Sequence, residues 1–387
     1  VVFTSSDGNT VLDHEIEFYN ETTGEYIAWV RVPSLDPIND TNIFINFGNT
    51  DITSDPSVST VWDGNFAAIY HFSENDSFND ATANNNDGTN NGSTDAAGQI
   101  GRGRSFDGAN DQITAANSSS LDITGNQVTL EAWVKAPVPN SQDSPFLNKA
   151  TAINQEQYML GIDGSTTSNN VNTRINTGSG FFRDDSGTIP NETWTHVVFV
   201  YDGSLGSDPR KTVYVNGASV ATHNANGNLS STIADLSIGK RADARYFDGD
   251  LDELRISNVA RSADWICTEY NSQNSPSTFF SIGSLEVNAC ANFTGGSASA
   301  SNSNIDSGTS TTVTVFGYSG DATSIQWQSS TDNVNFTNIS GATSALLNTG
   351  NLTETTFFRA VISNSLCSEF SSVATVNINV PFLGAYC

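Results

Sequence analysis

An enzymatic reading of this chain starts from paired carboxylates of the kind that flank a scissile glycosidic bond, and Glu15-Ile-Glu17-Phe-Tyr-Asn-Glu21 is the segment that offers them. Other chemistries find less support. The four histidines, His14, His71, His196 and His223, stand at no recognised Ser, Cys or Asp nucleophile motif. His196, in an apolar strand after Trp194, reads as a packed structural residue. The four cysteines, Cys267, Cys290, Cys367 and Cys387, include no CxxC pair and no histidine at zinc spacing. All lie in the C-terminal third, where up to two disulfides would staple the fold in an oxidising compartment. Of the three possible pairings, Cys290 with Cys367, joining the start of the last domain to a late strand, is the one expected.

The charge balance narrows the partners. With 42 acidic and 15 basic residues the formal charge is -27, a surface that repels nucleic acid and anionic lipid, both of which need Lys and Arg to neutralise phosphate. The same carboxylates suit hard cations such as Ca²⁺. No apolar run approaches the ~20 residues that cross a bilayer. The chain opens Val1-Val-Phe-Thr with neither an initiator Met nor a signal segment, as a mature or excised piece of a longer protein would.

At 387 residues the chain exceeds the size of one hydrophobic core, so two or three domains are expected. Short alternating runs ending in turn residues predict antiparallel strands throughout, an all-β fold of sandwich modules. The clearest are Asn191-Glu-Thr-Trp-Thr-His-Val-Val-Phe-Val-Tyr-Asp202, closed by Asp202-Gly203, and Lys211-Thr-Val-Tyr-Val215, closed by Asn216-Gly217. One helix is predicted over residues 262–271, with Ser262 as N-cap and Asp264 in the first turn. Module boundaries are expected at 1–60, a partial β-sandwich; 61–286, a jelly roll; 287–380, an Ig-like sandwich with Trp327 buried; and 381–387, a tail.

Four segments, around Trp133, Trp194, Tyr214 and Asp252, together with the opening Ile69-Tyr70-His71-Phe72, resemble the concanavalin A-like, laminin G-like jelly roll of bacterial surface proteins. Residues 1–60 resemble the C-terminal part of the domain of unknown function 2341. The run from Gln326 to Gly341 resembles Ig-like repeats of Bacteroidetes-type adhesins, which act as spacers.

The jelly-roll resemblance implies a structural Ca²⁺, with Asp252 as one ligand, Asp107 and Asp111 from a neighbouring loop, and Asp250 as a further candidate. It also implies a ligand face or rim, where aromatics stack on sugar rings and polar groups fix hydroxyls. Phe181, Phe182, Arg183, Arg245 and Tyr246 suit such a rim best. Glu15 and Glu17 depart in residue type and spacing from the Glu-x-Asp-x-x-Glu strand of the family 16 glycanases, and fall outside the jelly-roll segment. The function expected is therefore not enzymatic: an extracellular or cell-surface adhesin-type protein that binds glycan or another extracellular ligand. The alternative is a subunit or decoration of an extracellular filament, self-associating through the N-terminal half-domain.

Overall fold

The structure, a computed structural model, describes residues 1–36, 38–48, 56–73, 78–139, 142–285, 290, 293–320, 322–365 and 367–379. Two compact units are present, Val1–Ser281 and Ile282–Cys387, and strands dominate both.

In the first unit two antiparallel sheets enclose one apolar core. One sheet has seven strands and runs Gly180–Thr188, Asn170–Thr177, Glu156–Ile162, Ser144–Ala150, Leu236–Ile238, Gln112–Ala115, Gly88–Asn91. The other runs Ala218–His223, Lys211–Val215, Thr195–Asp202, Gln127–Lys135, Asp248–Ser257, Arg102–Asp107, Thr94–Ala97, with Phe66–Tyr70 paired to Asp248–Ser257. Alternation along each strand sends one set of side chains inward: Val197, Phe199 and Tyr201 join Leu130, Leu160 and Ile256 in the core. Each such side chain taken from water contributes roughly 1.5–3 kcal/mol.

Thr195–Asp202 is apolar on both faces, and the reason is local. Val198 and Val200 point outward, where they meet Tyr214 and Ile266, the latter from the helix Ala263–Asn274. Ser262 caps that helix, its hydroxyl accepting from the Trp265 N–H at 3.2 Å, and Asp264 lies in the first turn. At the other end of the strand pair, Asn216 and Gly217 both take positive φ, 51° and 75°, as a two-residue hairpin turn demands.

Residues 1–48 add two small sheets to this unit. Val2–Ser5 pairs with Val11–Leu12 and with Ile43–Asn46, and His14–Asn20 pairs with Glu25–Val30.

The second unit is a separate sandwich around Trp327, which is fully buried with Val313, Phe358, Ile362 and Val376. Its strands are antiparallel except for Asn304–Asp306, parallel to Ala374–Asn379. Cys290 and Cys367 form a disulfide across 77 residues of sequence, the pairing expected; Cys267 is free and exposed, and Cys387 falls outside the described residues. Replacing Cys290 and Cys367 together by Ser is expected to cost this unit ~2–5 kcal/mol. Denaturant titration should then show only the second unit's transition moving.

Candidate functional site

Asp143 is 5% exposed, and four arginines converge on it. Arg174 Nη2 and Arg241 Nη1 each lie 2.5 Å from its Oδ2, Arg245 Nη1 lies 3.1 Å from the same oxygen, and Arg183 Nη2 lies 3.2 Å from Oδ1. Burial pushes the Asp143 carboxyl up, but the Gly164 N–H and the surrounding guanidinium groups outweigh it and hold the group below its ordinary value.

The arginines arrive from separate elements. Arg174 and Arg183 face each other across adjacent strands, and Arg241 and Arg245 come from the loop that follows Leu236–Ile238. Arg174 also pairs with Glu156 at 3.2 Å, and Arg241 with Asp243 at 2.5 Å. Arg174 and Arg241 are buried and act as the base. Arg183 and Arg245 keep 37% and 38% of their side-chain surface exposed, so their forks are fixed by Asp143 yet open to solvent. Lys240 lies over the Tyr246 ring, 5.6 Å from its centroid. Five of the chain's 15 basic residues are thus gathered at one rim of a protein otherwise rich in carboxylates.

A second polar cluster lies on the outer face of the other sheet, and a β-bulge creates it. Trp133 pairs with Asp252 and Glu131 with Arg255, so Asp248–Ser257 carries one residue more than its partner there. Glu253 absorbs it with φ 47°. Leu251 and Leu254 both stay in the core, and Asp252 and Glu253 are both left between them on the outer side.

The hairpin of residues 14–30 covers that side. His71 Nδ1 lies 2.7 Å from Glu253 Oε1 and 3.8 Å from Glu17 Oε2, and its Nε2 lies 3.7 Å from Glu15 Oε2. Trp29 Nε1 donates to Glu17 at 2.8 Å and Trp62 Nε1 to Glu15 at 2.6 Å. Trp29 stacks on the His71 ring at 5.5 Å. Arg255, 1% exposed, donates to Glu253 at 2.7 Å and to Glu269, with its guanidinium 4.4 Å from the Trp29 ring.

Burial and the neighbouring Glu253 push Glu17 up to about 7. Burial, then Glu253, raises Asp252 well above the usual carboxylate range. Burial alone would lower His71, but Glu253 and Glu15 hold it well above its ordinary value. The cluster continues under the helix, where His196 meets Glu131 at 3.0 Å and Trp133 Nε1 donates to Gln273 at 2.5 Å.

Residues 107–267 match the family model of the concanavalin A-like lectin/glucanases superfamily. These residues belong to a concanavalin A-like domain. Residues 1–91 match the domain of unknown function DUF2341, a span that extends into the sandwich as far as Gly88–Asn91. Residues 294–380 match a different domain of unknown function, DUF8696. No curated protein matches the chain.

Among solved structures, domain 4 of AbnA, a GH43 extracellular arabinanase from Geobacillus stearothermophilus solved with arabinotriose, is 22% identical over 52% of this chain and 96% of its own, with a TM-score of 0.42. Trypanosoma rangeli sialidase in complex with the inhibitor DANA is 16% identical over 54% of this chain and 33% of its own, with a TM-score of 0.42. The binding domain of Paraclostridial Mosquitocidal Protein 1 is 12% identical over 77% of each chain, with a TM-score of 0.43.

Within the lectin-like domain, the two clusters expected to form a rim are brought together, since Arg183 and Arg245 share Asp143. Phe182 is a correction. It sits opposite Ile175 and packs against the core, because a strand's period of two turns it inward wherever Arg183 faces out. Phe181 is half-buried on the outward side, opposite Asn176, and Tyr246 is half-buried.

The four aspartates expected to hold Ca²⁺ each have local partners. Asp252 is fully buried and accepts N–H bonds from Ile100 and Glu253, both at 2.8 Å. Asp107 accepts from Ala109 and Asn110 in its own turn, and Asp111 accepts from the Asp107 N–H. Asp250 pairs with Lys135 at 3.2 Å. Among the described residues none of the four belongs to a group of three His, Cys, Asp or Glu ligand atoms within 4.8 Å of one another.

The separation of Glu15 and Glu17 from the jelly roll also needs correcting, because their side chains lie against it. His223 likewise has partners the sequence did not reveal, Ser186 Oγ at 2.8 Å and Asp184 Oδ1 at 3.2 Å. Asp184 also binds the buried Lys211, so this group closes the edge between the two sheets.

Proposed function

We propose that this is an extracellular, cell-surface protein of adhesin type, and that its lectin-like domain binds glycan at the rim formed by Arg183, Arg245, Phe181 and Tyr246. One observation carries the reading. Asp143 gathers four arginines and leaves two guanidinium forks half-exposed beside half-buried aromatic rings, a combination that can donate to sugar oxygens and stack on a ring face. The disulfide supports an oxidising compartment. No described helix is long and apolar enough to cross a membrane. Binding without hydrolysis is favoured by the placement of Glu15 and Glu17 on the hairpin that covers the opposite sheet, where Glu17 is buried against His71 and has no access to a polymer.

A glycan array, followed by calorimetry on the best ligand, tests the proposal. Arg183→Ala with Arg245→Ala is expected to weaken binding at least ~10-fold, since each loses charge-assisted donors, while the melting temperature stays close to wild type. A double variant that binds as tightly as wild type sinks the rim assignment, and release of reducing sugar by the intact protein sinks the non-enzymatic reading.

A second reading, self-association into a filament, is favoured by Ile43–Asn46. Among the described residues this strand pairs on one side only, and Phe44, Ile45 and the adjacent Phe47 are 40%, 47% and 64% exposed, the kind of edge that accepts a strand from another chain. Light scattering over a concentration series decides it. A monomer at every concentration removes it.

A further inference from the structure

We infer that Glu17, His71 and Glu253 form a divalent transition-metal site, of the class that takes Zn²⁺, which ties the N-terminal hairpin to the lectin-like domain. Among the described residues this is the one group of three or more His, Cys, Asp or Glu whose ligand atoms all lie within 4.8 Å of one another. Two donors sharing an ion at ~2.1 Å cannot be more than ~4.2 Å apart. The separations from His71 Nδ1, 2.7 Å to Glu253 and 3.8 Å to Glu17, fall inside that limit.

Two independent features point to a ligand. Glu17 Oε1 is buried and has no hydrogen-bond partner, and the Glu17 side chain is fully buried. A buried polar atom without a partner is costly. In addition, Glu15, Glu17 and Glu253 all bring a carboxylate oxygen within 3.8 Å of a His71 ring nitrogen, so three acids converge on one imidazole. Acids brought this close in a desolvated place are stabilised by a divalent ion bound among them.

The surroundings have the form of an outer shell. Trp29 holds one oxygen of Glu17, and Arg255 holds the Glu253 oxygen that faces away from His71, as the partners of ligating carboxylates do. An imidazole with two carboxylates selects a borderline transition ion over Ca²⁺, which takes 6–8 oxygens. The hairpin supplies one ligand and the sandwich two, so the ion's role here is to hold a junction.

The test uses the full chain, unfolded with EDTA, refolded with or without Zn²⁺, and desalted. Metal analysis and near-ultraviolet circular dichroism are then recorded on each sample. About one zinc per chain is expected in the wild type, with a higher first melting transition than in the zinc-free sample, because the ion binds only the folded state. Glu17→Gln, which keeps the shape of the side chain, and His71→Gln should each refold without zinc and melt at one temperature in both samples. If His71→Gln does not refold, Glu17→Gln alone decides. A folded wild type that retains no zinc overturns the inference, and so does zinc retained at the wild-type level by Glu17→Gln.

Discussion

Arg255→Met is expected to destabilise the first unit by ~3–5 kcal/mol, because it removes one member of a buried charge network and strands the others. Arg255 is 1% exposed. It bonds Glu253 and Glu269 together and lies 4.4 and 5.2 Å from the rings of Trp29 and Trp62. Without it, two carboxylates remain desolvated and face each other. Arg255→Lys should recover little, since an ammonium cannot fork between two acids while stacking on an indole.

The control is the triple variant Arg255→Met, Glu253→Gln, Glu269→Gln. It should regain part of the loss, because a neutral buried cluster no longer carries uncompensated charge. Two compact units make a single unfolding energy ill-defined, so the measurement is a denaturant titration resolved into two transitions. The first should move to lower denaturant and the second, from the unit around Trp327, should stay. A shift below ~1 kcal/mol would mean that the network is as solvent-screened as a surface pair.

What can be read from the sequence follows the range of the interactions. The Asn216-Gly217 turn, the Ser262 cap and the strand alternation are set within a few residues, and all are legible. The near-continuous apolar run from Val197 to Tyr201 is legible as a strand, while its second buried face requires knowing that Ile266 packs there. The rim is half legible. Arg183 and Arg245 stand out as charges beside aromatic residues, but Asp143, in Ser-Gln-Asp-Ser, looks like any turn aspartate, and Arg174 lies in a polar strand.

The cluster beneath the hairpin is not legible as a site, because its members come from residues 15–17, 71 and 252–255, and His71 and Glu253 are 182 residues apart. One local signal does exist. In Leu251-Asp-Glu-Leu254-Arg-Ile256 the apolar spacing changes from three to two, the mark of a strand carrying an extra residue and turning two consecutive carboxylates to the same side.

Asp143→Ala is expected to abolish glycan binding and to cost the first unit ~3 kcal/mol, at the lower end of what breaking a buried ion pair costs. The lower end applies because Arg174 keeps Glu156 and Arg241 keeps Asp243 after the change. Removing the carboxylate still leaves two buried guanidinium groups close together and frees the Gly164 N–H, which donates to Asp143 at 2.8 Å. Arg183 and Arg245 lose the common anchor that orders them, so binding falls even though neither residue has been altered.

The pH dependence has a definite sign. The folded-state pKa of Asp143 is lowered, so its contribution is fully present above the unfolded value of ~3.9 and disappears as pH falls through the folded value. The stability gap between wild type and Asp143→Asn should therefore be constant from neutral pH down to about 5, then close progressively below about 4. Urea titrations of both proteins across that range measure it. A gap that persists unchanged into strong acid would show that Asp143 acts through its shape and not its charge, and would remove the electrostatic basis of the rim.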